Sequence, residues 1–409
     1  MPIKKPSNTT TKALAIIAIA LLLGSQASAA PKYKVLHAFA GGKDGGDLES
    51  SLLLDKQGNA YGTAINNAFE LTPHTNGRWS LKVLHTFGDG DDGSGPWGGL
   101  IFDPEGDLYG TTVAGGGPYK YGTVFELTPG SDGWKETVLH RFGLRDYGSP
   151  PHATLAMDGA GNLYGTAPAS AFELTPNSGG WKEVILHKFT GLDGDGSEAF
   201  AGVILDAAGN VYGATENGGG NNSLCSDGCG IVYQLMPGSN GKWAEIVLHR
   251  FGSFQNDGRR PGVGALIMDG SGSLYGTTTG GGAFSSRCSC GTVFKLTPGS
   301  DGKWKETILH SFTLGTGGEG PSAGVVMDKA GNLYGTTSAG GAASCSCGVV
   351  YKLAPGSGGK WTYTVLHRFT GYDGAGPNAN LILDTKGNLY GTTTTGGAGG
   401  YGVAFELMP

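Results

Sequence analysis

Leu100-Ile101-Phe102-Asp103-Pro104-Glu105-Gly106-Asp107-Leu108-Tyr109-Gly110-Thr111-Thr112 contains a short apolar run, a turn and a second run ending in Tyr-Gly-Thr. The run at 100–102 is continuously apolar, the sign of a fully buried strand. The next five residues make a tight turn, because Asp caps such turns and Gly takes the left-handed position. Residues 108–112 form a second strand, and the loop 113–121 leads to a third at 123–127. Ser131-Asp132-Gly133 then turns the chain into a fourth strand at 134–142. Lys135, Glu136 and Arg141 give that last strand the charges of an exposed sheet edge. Buried inner strands followed by a charged outer strand are the radial order of a propeller blade.

The same unit recurs along the chain. Tyr-Gly-Thr or a variant starts at Tyr61, Tyr109, Tyr164, Tyr212, Tyr275, Tyr334 and Tyr390, at spacings of 48 to 63 residues. An Asp precedes each Tyr by six residues, from Asp55 to Asp384. A period near 50 belongs to propeller blades, since most solenoid repeats are shorter. The seventh unit stops at Phe405-Glu406-Leu407-Met408-Pro409, before its fourth strand. Tyr33-Lys34-Val35-Leu36-His37-Ala38-Phe39 supplies that missing strand from the other end of the chain. The expected fold is all-β, a seven-bladed β-propeller with four antiparallel strands per blade. Its last blade, 377–409 plus 32–39, is closed by the N-terminal strand, which removes an open edge.

Composition agrees with this reading. The chain has 409 residues, including 78 Gly and 19 Pro, with 38% hydrophobic, 10% aromatic and 15% charged residues and a net charge of −6. Collagen is excluded by the absence of a Gly-X-Y period, and disorder by the apolar content and low net charge. No basic surplus points to nucleic acid. Residues 1–29 read as a secretory signal peptide: Lys4, Lys5 and Lys12 precede an apolar run at 13–23, and Ala27-Ser28-Ala29 offers a cleavage site. Residues 30–409 then form a single exported domain, secreted or periplasmic, without stable membrane insertion and expected to be a monomer.

The motifs Tyr-Gly-Thr-Thr, Gly-Thr-Val-Phe-Glu-Leu-Thr-Pro and Val-Leu-His-x-Phe together resemble the GloVer tandem-repeat proteins, also called "choice-of-anchor" proteins. The resemblance covers essentially the whole mature chain. It implies an exported bacterial repeat protein and brings no established activity with it.

Repetition separates scaffold from candidate site. Seven of the nine His occupy one repeat position: His37, His85, His140, His187, His249, His310 and His367. A single active site does not need seven copies, so these read as hydrogen-bonded structural groups. Six Trp, at 79, 134, 181, 243, 304 and 361, also repeat and read as packing between blades. The repeated Asp reads as a turn cap.

The loops between blades and those from second to third strand emerge on one face, because strands alternate in direction. Six positions before each repeated Asp stand Glu49, Trp97, His152, Phe200, Val263, Ser322 and Asn378. This ring should line the channel mouth, and it varies in chemical kind where a purely structural position would not. Neighbouring loops add Arg145, Asp146 and Tyr147, then Arg259 and Arg260, and also Tyr119, Lys120 and Tyr121. Aromatic rings beside Arg and His suit a sugar chain, particularly an acidic one.

Two acidic loops, Asp89-Gly90-Asp91-Asp92-Gly93 and Asp193-Gly194-Asp195-Gly196, partly resemble calcium loops. Neither completes the EF-hand spacing, and Asp-Gly recurs at Asp44, Asp257 and Asp373. They therefore read as turns, and no metal or other cofactor is expected, calcium in these loops being the alternative. All six Cys lie in loops just before third strands: Cys225 and Cys229, Cys288 and Cys290, Cys345 and Cys347. An exported chain with an even count points to disulfides, most simply one within each loop. A soft-metal site across the three loops is the rival.

The leading expectation is a non-catalytic module binding a glycan or an envelope or extracellular protein at the channel mouth. One alternative is a polysaccharide lyase on the same face, using His152 or Tyr147 as base with Arg145, Arg259 or Arg260. The other is a structural surface protein.

Overall fold

In blade two the strands are Ile101–Phe102, Leu108–Thr112, Thr123–Gly130 and Gly133–Arg141, each antiparallel to the next. The computed structural model describes residues 1, 30–88, 90–143, 150–220, 223–239, 241–262, 264–283 and 288–409. Across them the same strand order recurs in seven sheets, making a seven-bladed β-propeller. Blade five carries one further strand, Gly258–Pro261, on the same partner as its innermost strand. The signal-peptide segment, Arg145, Asp146, Tyr147, Val263 and Asp89 lie outside the described residues.

The innermost strands are only two residues long and half-buried, not fully buried as their apolar runs suggest. The reason is their position: Leu53, Ile267 and Ile382 line a central cavity. The second strands are buried throughout, since a neighbouring strand flanks them on each side. The outer strands alternate exposed and half-buried residues, as an edge with one packed face must.

The turn after the first strand is held by its Asp. Asp103 Oδ1 accepts the amides of Gly106 and Asp107 at 2.8 Å, and the Tyr109 hydroxyl donates to its other oxygen at 3.2 Å. Gly106 has φ +98° there, a conformation L side chains rarely adopt. The Gly of Tyr-Gly-Thr serves a different need. A Cβ on Gly110 would sit 2.5 Å from Phe125 Cζ and 3.0 Å from Leu100 Cδ2. This glycine lets the second strand lie against the ring of the third.

The cores lie between blades. Tyr61 and Leu84 of blade one pack with Leu108, Phe125 and Leu127 of blade two, and Trp134 packs against this cluster. The repeated Trp and Tyr meet across successive seams, at 6.4 Å for Tyr61–Trp134 between blades one and two and 6.5 Å for Tyr109–Trp181 between blades two and three. The ring closes where Lys32–Ala38 pairs with Val403–Met408 as the outer strand of blade seven. Tyr33 also stacks on His367 of blade six, with ring centroids 3.9 Å apart. Closure covers the outer edge of Val403–Met408, which would otherwise be unpaired.

Candidate functional site

Beneath the channel mouth, the Thr of Tyr-Gly-Thr reaches across to the next blade. In six units its hydroxyl donates to a backbone carbonyl, at 2.8–3.2 Å: Thr63 to Gly98, Thr111 to Ala153, Thr166 to Ala201, Thr277 to Ala323, Thr336 to Pro377 and Thr392 to Ser50. Each acceptor adjoins a residue of the variable ring. A repeated hydrogen bond therefore fixes the backbone that carries a non-repeated side chain. The fourth unit has Ala214 at this position and makes no such bond.

The described members of the ring, Glu49, Trp97, His152, Phe200, Ser322 and Asn378, converge on one cavity of about 590 Å³. Trp97, His152 and Phe200 form a continuous aromatic arc, with centroids 5.5 Å and then 5.2 Å apart. Trp97 is 44% exposed, unusual for an indole and open to a ligand. Across the mouth the Asn378 amide donates to Glu49 Oε2 at 3.5 Å. Burial pulls the His152 imidazole below its ordinary value, against the opposing Pro150 backbone, so the ring is neutral near pH 7. Burial raises the Glu49 carboxyl, the Asn378 hydrogen bond works against this, and Asp47 adds to the rise.

Other candidates lie elsewhere. Arg259 and Arg260 line a separate polar cavity of about 370 Å³ beside Cys225, Asp227 and Ser289. The structure therefore does not bring them to His152. Tyr119 is exposed on its loop, whereas Tyr121 packs against the core between blades two and three. Neither lines the mouth cavity. Disulfides join Cys225 to Cys229, Cys288 to Cys290 and Cys345 to Cys347. The thiolates that a soft-metal site needs are thus consumed.

The repeated His show an arrangement that single units do not reveal. Each His lies at an interface between blades, and in several units an Asp from the following loop meets it. His37–Asp44 is 3.1 Å, His187–Asp195 3.1 Å and His367–Asp373 3.0 Å. The residue four before the His of the next blade completes the group. At three interfaces it gives His85–Asp92–Glu136, His187–Asp195–Glu245 and His249–Asp257–Glu306. At two others it is an aromatic ring stacked on the His: Tyr363 on His310 at 4.1 Å and Tyr33 on His367 at 3.9 Å. Burial and the nearby Asp257 carboxylate push Glu306 up to about 9. Burial and Asp92, opposed by Arg141, push Glu136 to about 7. The sequence signal was an acid four positions before the repeated His, legible only once successive units are known to be neighbours.

Comparison with known proteins agrees with the architecture. A structure of streptogramin B lyase is 12% identical, with a TM-score of 0.54 over 92% of this chain and 97% of that one. Virginiamycin B lyase from Staphylococcus aureus is 11% identical, with a TM-score of 0.53 over 93% of this chain and 99% of that one. The extracellular domain of a putative hybrid two-component system from B. thetaiotaomicron is 15% identical, with a TM-score of 0.56 over 91% of this chain and 39% of that one. At such identities the likeness shows the fold alone. No curated protein matches the chain. A family model does match, over residues 66–223 and again over 168–405, and the chain belongs to the Gloeobacter/Verrucomicrobia repeat family.

Proposed function

We propose that this is an exported, non-catalytic binding module that takes the end of a neutral glycan at the channel mouth. The observation that carries the reading is the aromatic arc Trp97–His152–Phe200 facing the Glu49–Asn378 pair across one cavity. Aromatic faces receive the apolar faces of sugar rings, and the amide, carboxyl and Ser322 hydroxyl offer partners for sugar hydroxyls. The cavity size falls within the usual range for small-ligand sites. Among the described residues lining it there is no Lys or Arg, which favours neutral over acidic sugars. Three disulfides fit an oxidising compartment, and among the described residues no helix is long and apolar enough to cross a membrane.

A lyase acting on an acidic polysaccharide is the alternative, and it needs a cation and a base at one carbon acid. Arg259 and Arg260 sit in the other cavity, so this reading rests on Arg145 and Tyr147, outside the described residues. The streptogramin lyase likeness supports the propeller and supplies no chemistry for this chain.

A glycan array probed with the mature chain tests the proposal. Neutral glycans should bind, and Trp97→Ala should weaken the strongest of them at least tenfold, about 1.4 kcal/mol, with melting unchanged. Equal affinity in Trp97→Ala removes the mouth as the site. Ultraviolet absorbance from an unsaturated product, on incubation with acidic polysaccharides, overturns the non-catalytic reading.

A further inference from the structure

We propose that the interface between blades four and five is a metal site, where His249, Asp257 and Glu306 bind a divalent transition-metal ion of the zinc type. This inference is independent of the mouth. His249 Nε2 lies 3.6 Å from Asp257 Oδ2 and 3.6 Å from Glu306 Oε2, and one donor atom from each residue falls within 4.8 Å of the others. These separations are too long for hydrogen bonds. They are close to the roughly 3.4 Å that separates two ligands held 2.0–2.2 Å from a tetrahedral ion.

Burial makes these donor atoms costly to leave unpaired. The Asp257 side chain is 0% exposed and that of Glu306 2%. Asp257 Oδ1, both Glu306 oxygens and His249 Nε2 have no hydrogen-bond partner. Buried polar groups are almost always paired, and two adjacent carboxylates away from water repel unless they share a proton or a positive charge lies between them. Asp257 is aimed by its surroundings, because Oδ2 accepts the Ser253 amide at 2.9 Å and its hydroxyl at 3.1 Å. Second bonds of this kind orient metal-ligating carboxylates.

The other interfaces act as internal controls. Between blades five and six, Tyr363 stacks on His310 and donates to the Gly317 carbonyl. Between blades six and seven, Tyr33 stacks on His367 and donates to the Asp373 carbonyl at 2.6 Å. A neutral hydroxyl satisfies those seams without an ion. Glu306 replaces it with an acid that finds no donor. The related clusters at Glu136 and Glu245 are more open: Asp92 is 28% exposed and Glu245 15%. The ion class follows from the donors. One imidazole and two carboxylates suit zinc, whereas Ca²⁺ requires six to eight oxygens.

The experiment uses the full chain with its disulfides closed, stripped with a chelator and titrated with Zn²⁺ by calorimetry, with melting followed in parallel. The expected result is saturable binding, with a melting temperature that rises by several degrees as bound ion joins two blades. Glu306→Gln should weaken the tightest step at least tenfold and remove most of the melting shift. His249→Gln should do the same and serves if Glu306→Gln does not fold. His310→Gln, at a seam without acids, should leave zinc binding unchanged. The proposal is overturned by an absence of saturable binding, by equal affinity in both cluster variants, or by displacement of zinc by a tenfold excess of Ca²⁺.

Discussion

The repeated His shows how far one residue type can be moved by what a neighbouring blade places beside it. Burial lowers His187, yet the Asp195 hydrogen bond and the charges of Glu245 and Asp195 outweigh it and raise the imidazole. His310 meets only Tyr363 and the protein interior, and burial pulls it down to about 4. The sign of its effect on stability follows from linkage. Above pH 6.5 the ring is neutral folded or unfolded. Between pH 6.5 and about 4 the unfolded chain takes a proton that the folded chain refuses, so stability falls as pH falls. Urea denaturation at pH 7 and pH 4.5 measures this. Wild type should lose about 2 kcal/mol more than His310→Gln over that interval. Equal losses would show that His310 is not held neutral. The seven His could be recognised as scaffold from repetition alone. Their opposite electrostatics could not, because the deciding residue belongs to another unit some 55 positions away, at the spacing of the repeat.

At the scale of the blade, the strands follow directly from alternation, turns and the Tyr-Gly-Thr motif. Their boundaries departed from expectation only slightly. The third strand of blade two runs to Gly130, beyond the 127 expected, because Thr128 and Pro129 still pair with Lys135 and Trp134. The Gly of the motif is the tightest element-level constraint, since Phe125 occupies the space a Cβ would need. Gly110→Ala should destabilise the protein by about 2 kcal/mol, in the range for overpacked cores. Phe125→Leu added to it should recover part of that loss by shortening the ring. Thermal melting of the single and double variants checks both statements; additive losses would mean that the clash is not with Phe125. Loops were less legible than strands. Tyr121 and the Arg259–Arg260 pair share the mouth's face by topology, but Tyr121 is drawn into a core and the arginines into a second cavity. Such outcomes depend on loop path, which period and composition do not encode.

For the whole molecule, ring closure explains why a variable site can be built from repeated parts. Blades are pinned to their neighbours by Thr hydrogen bonds in six of the seven units, by Trp–Tyr contacts and by His seams, and the N-terminal strand completes the circle. That scaffold holds six described side chains of different chemistry around one opening. Their convergence was readable from a fixed offset to the repeated Asp, since equal offsets in equivalent blades reach equivalent heights on the axis. The ligand was not readable, because no motif specifies it. The proposed recognition site is the ring, with the blades as its support. Hydrogen–deuterium exchange, with and without the strongest neutral glycan from the array, tests this most directly. The account predicts protection in short segments around Glu49, Trp97, His152, Phe200, Ser322 and Asn378, with the outer strands unchanged. Protection confined to the outer strands, or to the Arg259–Arg260 cavity, would contradict it.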